Sequence, residues 1–461
     1  MTPKRPARPP EPGPALTTAP EVVGGDAILG AMTSGDLTEW ARRTDRLWLA
    51  YPAADLARHG VVVGSAGSGK TETLLRVAYL AARVYGWQVV FLDAKGDAAT
   101  QARFARAMAA AGVPPPALRT FPAQPYDGWR GGDRALLNRL MEVSDFSEPY
   151  YREMALRVLH LAITSPGGVP GSSGDLLGRL SKPMLRAAYR RRPQAAEIEE
   201  LAERDVAGVA NRYRAFFASL GGGLDGGWAF EDTRACYVLL EGLALKAEAA
   251  RLGRFFLEDF AHYAGVRKPP GTPVLLVVDE FSALESTTDA AHLFERLRSF
   301  GAAVMVSSQG YAGLGVAGDR ILDAAETLIL HRCAEPEPLI ARAGTVSRVD
   351  HTRYLDAGTG PEVGRQGAVR RKDDWRVRPN DVRQLPVGEA VVIAGGRAAR
   401  VQVAMVDVGD SAQGPPPPGP PPPGAPAAPA EGGSPPPPPP GAAPRAPATF
   451  IPSPPPTVPG L

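Results

Sequence analysis

The stretch Gly64 to Thr71, reading GSAGSGKT, directly follows the apolar run Val61, Val62, Val63. No other segment constrains the fold as strongly. The pattern Gly-x-x-x-x-Gly-Lys-Thr has a physical meaning between a short β-branched strand and a helix, and a helix-forming run, Glu72 to Tyr85, comes next. Glycines let the backbone turn tightly enough for several N–H groups and the positive end of the helix to converge on phosphate oxygens. In such a loop Lys70 reaches the outer phosphates and Thr71 ligates Mg2+. Gly64, Ser65, Ala66, Gly67, Ser68, Gly69, Lys70, Thr71 and Glu72 are therefore the candidate ATP-binding segment. A plain Gly-rich turn leading into a helix is the alternative, disfavoured because strand, glycines, Lys and Thr are all in register.

Composition bounds what surrounds this loop. The chain has 461 residues, 44% of them hydrophobic, enough for two or three domains with real cores. A net charge of +2 leaves bulk electrostatics undecided, so a nucleic-acid surface must come from local clusters of arginine. Cys236 and Cys333 stand far apart without metal-ligand spacing, which argues against a disulfide framework and a zinc site. No apolar run of membrane-spanning length and no signal-peptide core is found, so a cytoplasmic location is expected.

Along the chain, residues 1–25 are rich in Pro, Ala and Arg and read as a flexible arm. Residues 26–133 form the first part of an α/β core. A helix is expected around Asp36 to Arg43 and strands at Leu47 to Tyr51, Gln88 to Leu92 and Leu118 to Phe121. The loop Asp93-Ala94-Lys95-Gly96-Asp97 sits at a strand's carboxyl end, where open α/β sheets bind ligands, although Asp97 is equally readable as a helix N-cap. Residues 134–254 read as an inserted helical domain, with helices at Pro149 to Ile163, Leu176 to Arg191 and Ala195 to Leu220. Residues 255–410 return to the core, with strands at Val274 to Val278, Ala302 to Val306, Leu328 to His331, Ala390 to Ala394 and Val401 to Val406. From Ser411 onward the proline runs at 415–418 and 435–440 predict an extended or disordered tail, a passive linker or a docking strand for a reader of proline helices.

The apolar strand ending in Asp279-Glu280 supplies the acidic half of an ATPase centre. Asp279 holds magnesium and Glu280 polarises the attacking water. Gln309, at the end of the next strand, is placed to sense the γ-phosphate. Arg298, at the end of the intervening helix, is a candidate for reaching a neighbouring subunit's nucleotide, against the simpler reading of a cation favoured at a helix carboxyl end. Lys70, Glu280, Gln309 and Arg298 are thus the candidate catalytic set, and Thr71 and Asp279 the metal ligands.

The motifs GSAGSGKTE, LDAKGD, VVDEFSAL and FERLRSFGAAVMVSSQ, in this order around a long helical insertion, resemble the FtsK/HerA class of motor ATPases. Within that class they are most similar to the coupling proteins of type IV secretion and conjugation, the TraG/TraD-like family. Arg298 and Gln309 stand eleven positions apart, as in that family, and Arg378 to Ala390 is similar to its closing region. Position 94 is Ala where the family usually has Pro. The resemblance implies a RecA-like P-loop core with a mainly parallel sheet and a projecting all-α domain. It also implies a hexamer that grips DNA in a central channel, hydrolyses ATP between subunits and feeds DNA to a secretion channel with its relaxase. The transmembrane helices common near the family's N-terminus are not found, so membrane attachment is expected through partners. Residues 186–192 (RAAYRRR) and 370–372 (RRK), near Tyr189 and Trp375, are the densest basic clusters and the candidate DNA contacts. Two other readings remain: a translocase working inside the cell without a channel, and a nucleotide-switched adaptor that docks substrates through its helical domain and tail.

Overall fold

The computed structural model describes residues 16–35, 48–240, 246–284, 290–353 and 367–406. The chain divides into a unit Met1–Gly409 and a second, Asp410–Leu461, which lies outside the described residues together with the proline-rich tail. The expected helix at 36–43 also lies outside them.

In chain order the strands are β1 (Val22–Val23), β2 (Asp26–Gly35), β3 (Trp48–Ala50), β4 (Gly60–Val63), β5 (Gln88–Asp93), β6 (Leu118–Phe121) and β7 (Ala235–Leu239). They continue with β8 (Val274–Asp279), β9 (Ala302–Ser308), β10 (Thr327–Leu330), β11 (Thr345–Arg353), β12 (Gly367–Trp375), β13 (Glu389–Ala394) and β14 (Arg397–Val403). Twelve of them form one sheet in the order β1-β2-β14-β13-β10-β4-β9-β8-β5-β7-β6, with β3 on β2. From β10 to β6 every neighbouring pair is parallel, and β13, β14 and β2 extend the sheet antiparallel. This is the α/β, RecA-like arrangement expected from the strand-and-helix alternation.

Continuous apolar runs form these strands because both faces are covered. Val61 and Val63 join one hydrophobic core and Val62 the other; Val90 and Leu92 separate from Val89 and Phe91 in the same way. Helix Lys70–Arg83 packs on the second face, and the helices between β6 and β7 share the first core with the sheet.

Several elements differ from the sequence reading. Residues 16–25, expected in a flexible arm, are bound to the body. Leu16 is buried, the Leu16 carbonyl accepts from Met405 N at 2.9 Å, and the Glu21 carboxylate is bonded by Tyr79 and Arg83. The stretch expected as one helix from Leu176 to Arg191 is two, Ser173–Arg179 and Lys182–Ala188, because Ser181 caps the second and Pro183 sits in its first turn. The stretch 195–220 is likewise divided, into Gln194–Glu200 and Glu203–Leu220. β7 falls where the sequence reads as strand-like, at Ala235 to Leu240, but it belongs to the sheet, between β5 and β6, and not to an insertion spanning 134–254. The ribbon β11–β12 was not expected.

Candidate nucleotide site

The carboxyl ends of β4, β5, β8 and β9 converge, and the phosphate loop leaves β4 there. Gly67 and Gly69 have φ of 70° and 111°, a region that costs a side chain energy, so the tight turn requires glycine at both. At Gly64 a Cβ would lie 2.5 Å from Ser68 Oγ and 2.6 Å from His331 Cβ. Neighbouring strands brace the loop. Gly64 N donates to Ser308 O at 3.1 Å, Ser65 N and Oγ both donate to Arg332 O, and Gly388 N donates to Ser68 O at 3.1 Å. Helix Lys70–Arg83 starts without a side-chain cap, leaving its first N–H groups to whatever anion the loop holds. Ala66 and Gly67 form the exposed lip.

Lys70 is buried, and its ammonium donates to Gly64 O at 2.6 Å and Ser65 O at 3.2 Å. Burial lowers its pKa, opposed by the charges of Glu280 and Asp279. Thr71 Oγ1 donates to Asp279 Oδ2 at 3.0 Å, joining the two expected metal ligands. Burial raises the Asp279 pKa, while hydrogen bonds from Ser307 and Thr71 work against it. Ser307 Oγ donates to Asp279 Oδ1 at 2.5 Å and accepts from Glu280 N at 2.9 Å, so one hydroxyl fixes both acids. Glu280 has φ of 60°, a conformation non-glycine residues seldom adopt and one that concentrates at functional sites. Its carboxylate accepts from Ser282 Oγ at 2.5 Å and from Gln309 Nε2 at 3.1 Å.

Lys70, Thr71, Asp279, Glu280 and Gln309 are therefore brought together. Glu72 stands beside them but ion-pairs with Arg103 of helix Ala98–Ala110. Arg298 is not in the cluster. It is exposed at the end of helix Ala290–Ser299 and lines a cleft of about 240 Å³ with Arg58, Asp323, Glu326 and Arg342. Arg58 precedes β4 and Glu326 precedes β10, so this cleft marks the opposite rim of the sheet from the phosphate loop.

In the 93–97 loop, the Asp93 carboxylate accepts from the N–H groups of Lys95, Gly96 and Asp97 and from the Tyr237 hydroxyl at 2.5 Å. Asp97 is the N-cap of helix Ala98–Ala110, accepting from Ala99 N at 3.0 Å and from Thr100 Oγ1. Asp93 is thus the residue that shapes the loop.

Sequence reasoning did not single out His331. It is buried at the end of β10, donates from Nδ1 to Glu389 O at 2.9 Å and accepts from Thr73 Oγ1 at Nε2, also 2.9 Å. It ties the phosphate-loop helix to β13, and burial pushes its pKa down to about 4. Its only signal in the sequence is a His at a strand's carboxyl end.

A mostly parallel sheet with a glycine-rich phosphate loop after β4 and an acidic pair after β8 defines the RecA-like P-loop fold. Solved structures share it. The bacterial conjugative coupling protein TrwBdeltaN70, in its unbound form, superposes with a TM-score of 0.59 at 15% identity, covering 85% of this chain and 97% of that one. TrwB in complex with ADP and Mg2+ gives 0.57 at 15% identity over 85% and 96%. VirB4 of Thermoanaerobacter pseudethanolicus gives 0.50 at 12% identity over 84% and 99%. No protein-family model and no curated protein matches the sequence.

Proposed function

We propose that the chain is an Mg2+-dependent ATPase that moves DNA, working as a hexamer that couples DNA to a type IV secretion channel. The observation carrying this reading is the bonded chain Thr71–Asp279–Ser307–Glu280–Gln309 beside Lys70 at the phosphate loop. ATP and magnesium fit the residues present. Ser68 Oγ is buried without a partner at the loop, a Cβ at Gly64 would fill the turn, and Thr71 and Asp279 offer adjacent hard oxygen donors. Magnesium is commonly held by one or two protein oxygens plus phosphate and water, which Thr71 and Asp279 can supply. The metal, when bound, neutralises charge on the phosphates.

The chain's own groups divide the remaining work. Lys70 and the loop N–H groups orient the phosphates, and Glu280 takes the proton of the attacking water. Gln309, bonded to Glu280, couples the position of that carboxylate to the next strand. Arg298 supports oligomeric action: its side chain is exposed on the far rim, and no ion pair or hydrogen bond holds that side chain to a described residue. A neighbour's phosphates are the ligand such a residue suits. Likeness of fold to TrwB and VirB4 supports the secretion role. Attachment at the membrane's inner face through partners, with a relaxase among the candidates, is part of the same reading; among the described residues no helix is long and apolar enough to cross a membrane.

The test is ATP turnover with and without DNA. DNA should stimulate it, and Lys70→Ala should lower it about 10²–10³-fold, as expected for a lost transition-state contact. Turnover indifferent to both DNA and Lys70→Ala would refute the motor reading.

A further inference from the structure

The two basic clusters in the sequence have different surroundings. At 186–192, Arg186 is held by both carboxylate oxygens of Glu199 at 2.5 Å, and Tyr189 is buried with its hydroxyl donating to Leu161 O. In that cluster one cation is neutralised by a bidentate carboxylate and the ring is buried. The residues 370–372 lie instead on the ribbon β11–β12, which is separate from the main sheet.

The ribbon leaves the rim that also carries Arg298. At its base Arg376 N donates to Gly344 O at 3.1 Å, and Arg342 bonds Asp323 and Ala325 O just ahead of β10. Nine paired residues, at ~3.4 Å each, give it a reach of roughly 30 Å. Both faces meet water: Val349 and Val369 are 49% and 67% exposed on one, and Arg348, Arg370 and Lys372 are exposed on the other. The register sets Arg348 directly opposite Lys372, a like-charge pair that destabilises an antiparallel ribbon and that Asp374, 3.8 Å from Arg348 on the same face, offsets only in part. An isolated two-strand ribbon is marginal to begin with. No ion pair joins Arg370, Arg371 or Lys372 to a described residue. Repulsion of this kind is relieved when an anion bridges the two strands.

We propose that β11–β12 is the element that grips duplex DNA, lying in the major groove with its cations on the phosphate walls. This rests on the DNA-motor reading above. A groove ~12 Å wide admits a two-stranded ribbon and presents phosphates on both sides. The distribution here matches, because alternation puts Arg348, Arg370 and Lys372 on one face and Arg371 on the other. Single strands are gripped mainly by rows of exposed aromatic rings. Among the described ribbon residues the one large ring is Trp375, at the base and 37% exposed.

The experiment measures affinity of the full-length chain for a duplex oligonucleotide over a salt series, with a single-stranded oligonucleotide in parallel. The variants are Arg370→Gln/Arg371→Gln/Lys372→Gln and, as a control, Arg186→Gln/Arg190→Gln/Arg191→Gln. The ribbon variant should bind duplex roughly tenfold or more weakly, and its log K against log salt slope should shrink by about 2 to 3, near 0.9 for each lost phosphate contact. Its circular dichroism and DNA-free ATP turnover should stay unchanged, since the ribbon starts at the rim opposite the phosphate loop and makes no described bond to the nucleotide cluster. An unchanged slope, a loss confined to the single strand, or an equal loss in the control would overturn the ribbon assignment. Failure of the unaltered chain to bind either oligonucleotide would overturn the motor reading beneath it.

Discussion

The carboxyl-end cluster and the opposite rim of the same sheet use polar side chains in contrary ways. At the carboxyl end each functional group is held by another: Thr71 by Asp279, Glu280 by Ser282 and Gln309, and both acids by Ser307. At the far rim Arg58 and Arg342 have the carboxylates of Glu326 and Asp323, while the exposed side chain of Arg298 in the same cleft has no ion pair or hydrogen bond to a described residue. A held group is preorganised for chemistry within its own subunit, whereas an unheld cation is available to another molecule. The difference is what the proposed half-site, completed by a neighbouring subunit, requires.

Variants that attack each side separately sharpen this comparison. Arg298→Ala should lower turnover of the assembled protein by about 10³–10⁵-fold, the range for a trans arginine, while leaving nucleotide affinity of the dispersed chain unchanged. Equilibrium binding measured beside steady-state turnover checks both parts. Glu280→Gln removes the base but keeps the shape, and should cost about 10²–10⁴-fold in turnover with nucleotide binding retained. A large loss of binding would show that Glu280 serves the loop's structure instead.

Stability responds to pH through the buried histidines. Burial holds His331 and His59 near a pKa of about 4, below their ordinary 6.5. Folding therefore disfavours protonation. The stability each contributes is full above about pH 6.5, declines as pH falls and is gone near 4. His331→Gln should remove about 2–3 kcal/mol of the stability difference between pH 7 and pH 4.5, read from denaturant midpoints at the two values. The smallest effect belongs to the loop beside the cluster. Asp97→Ala deletes an N-cap and should cost about 1 kcal/mol in stability with little change in turnover. A large drop in turnover would make Asp97 part of the site.

Much of the nucleotide half was legible because its signals are local. The phosphate loop, the strand before it and the acids after β8 are each written in a few consecutive residues, and β6 falls at Leu118–Phe121 as the pattern predicts. What escaped depends on distant partners. Ser307 and His331 matter through Asp279, Thr73 and Glu389, which no run of neighbouring residues reveals. Residues 16–25 look solvated by composition, yet one buried Leu16 and the Glu21 carboxylate fasten them. The ribbon β11–β12 was hidden for another reason: with both faces in water it lacks the apolar alternation that marks a strand.

Mixing two inactive variants tests the half-site directly. Lys70→Ala lacks a working phosphate loop but keeps its arginine, and Arg298→Ala has the reverse defect. Combined with DNA and ATP under assembly conditions, they should recover turnover that neither shows alone, greatest at intermediate ratios. Turnover that stays at the level of the separate variants across all ratios would contradict a site shared between subunits.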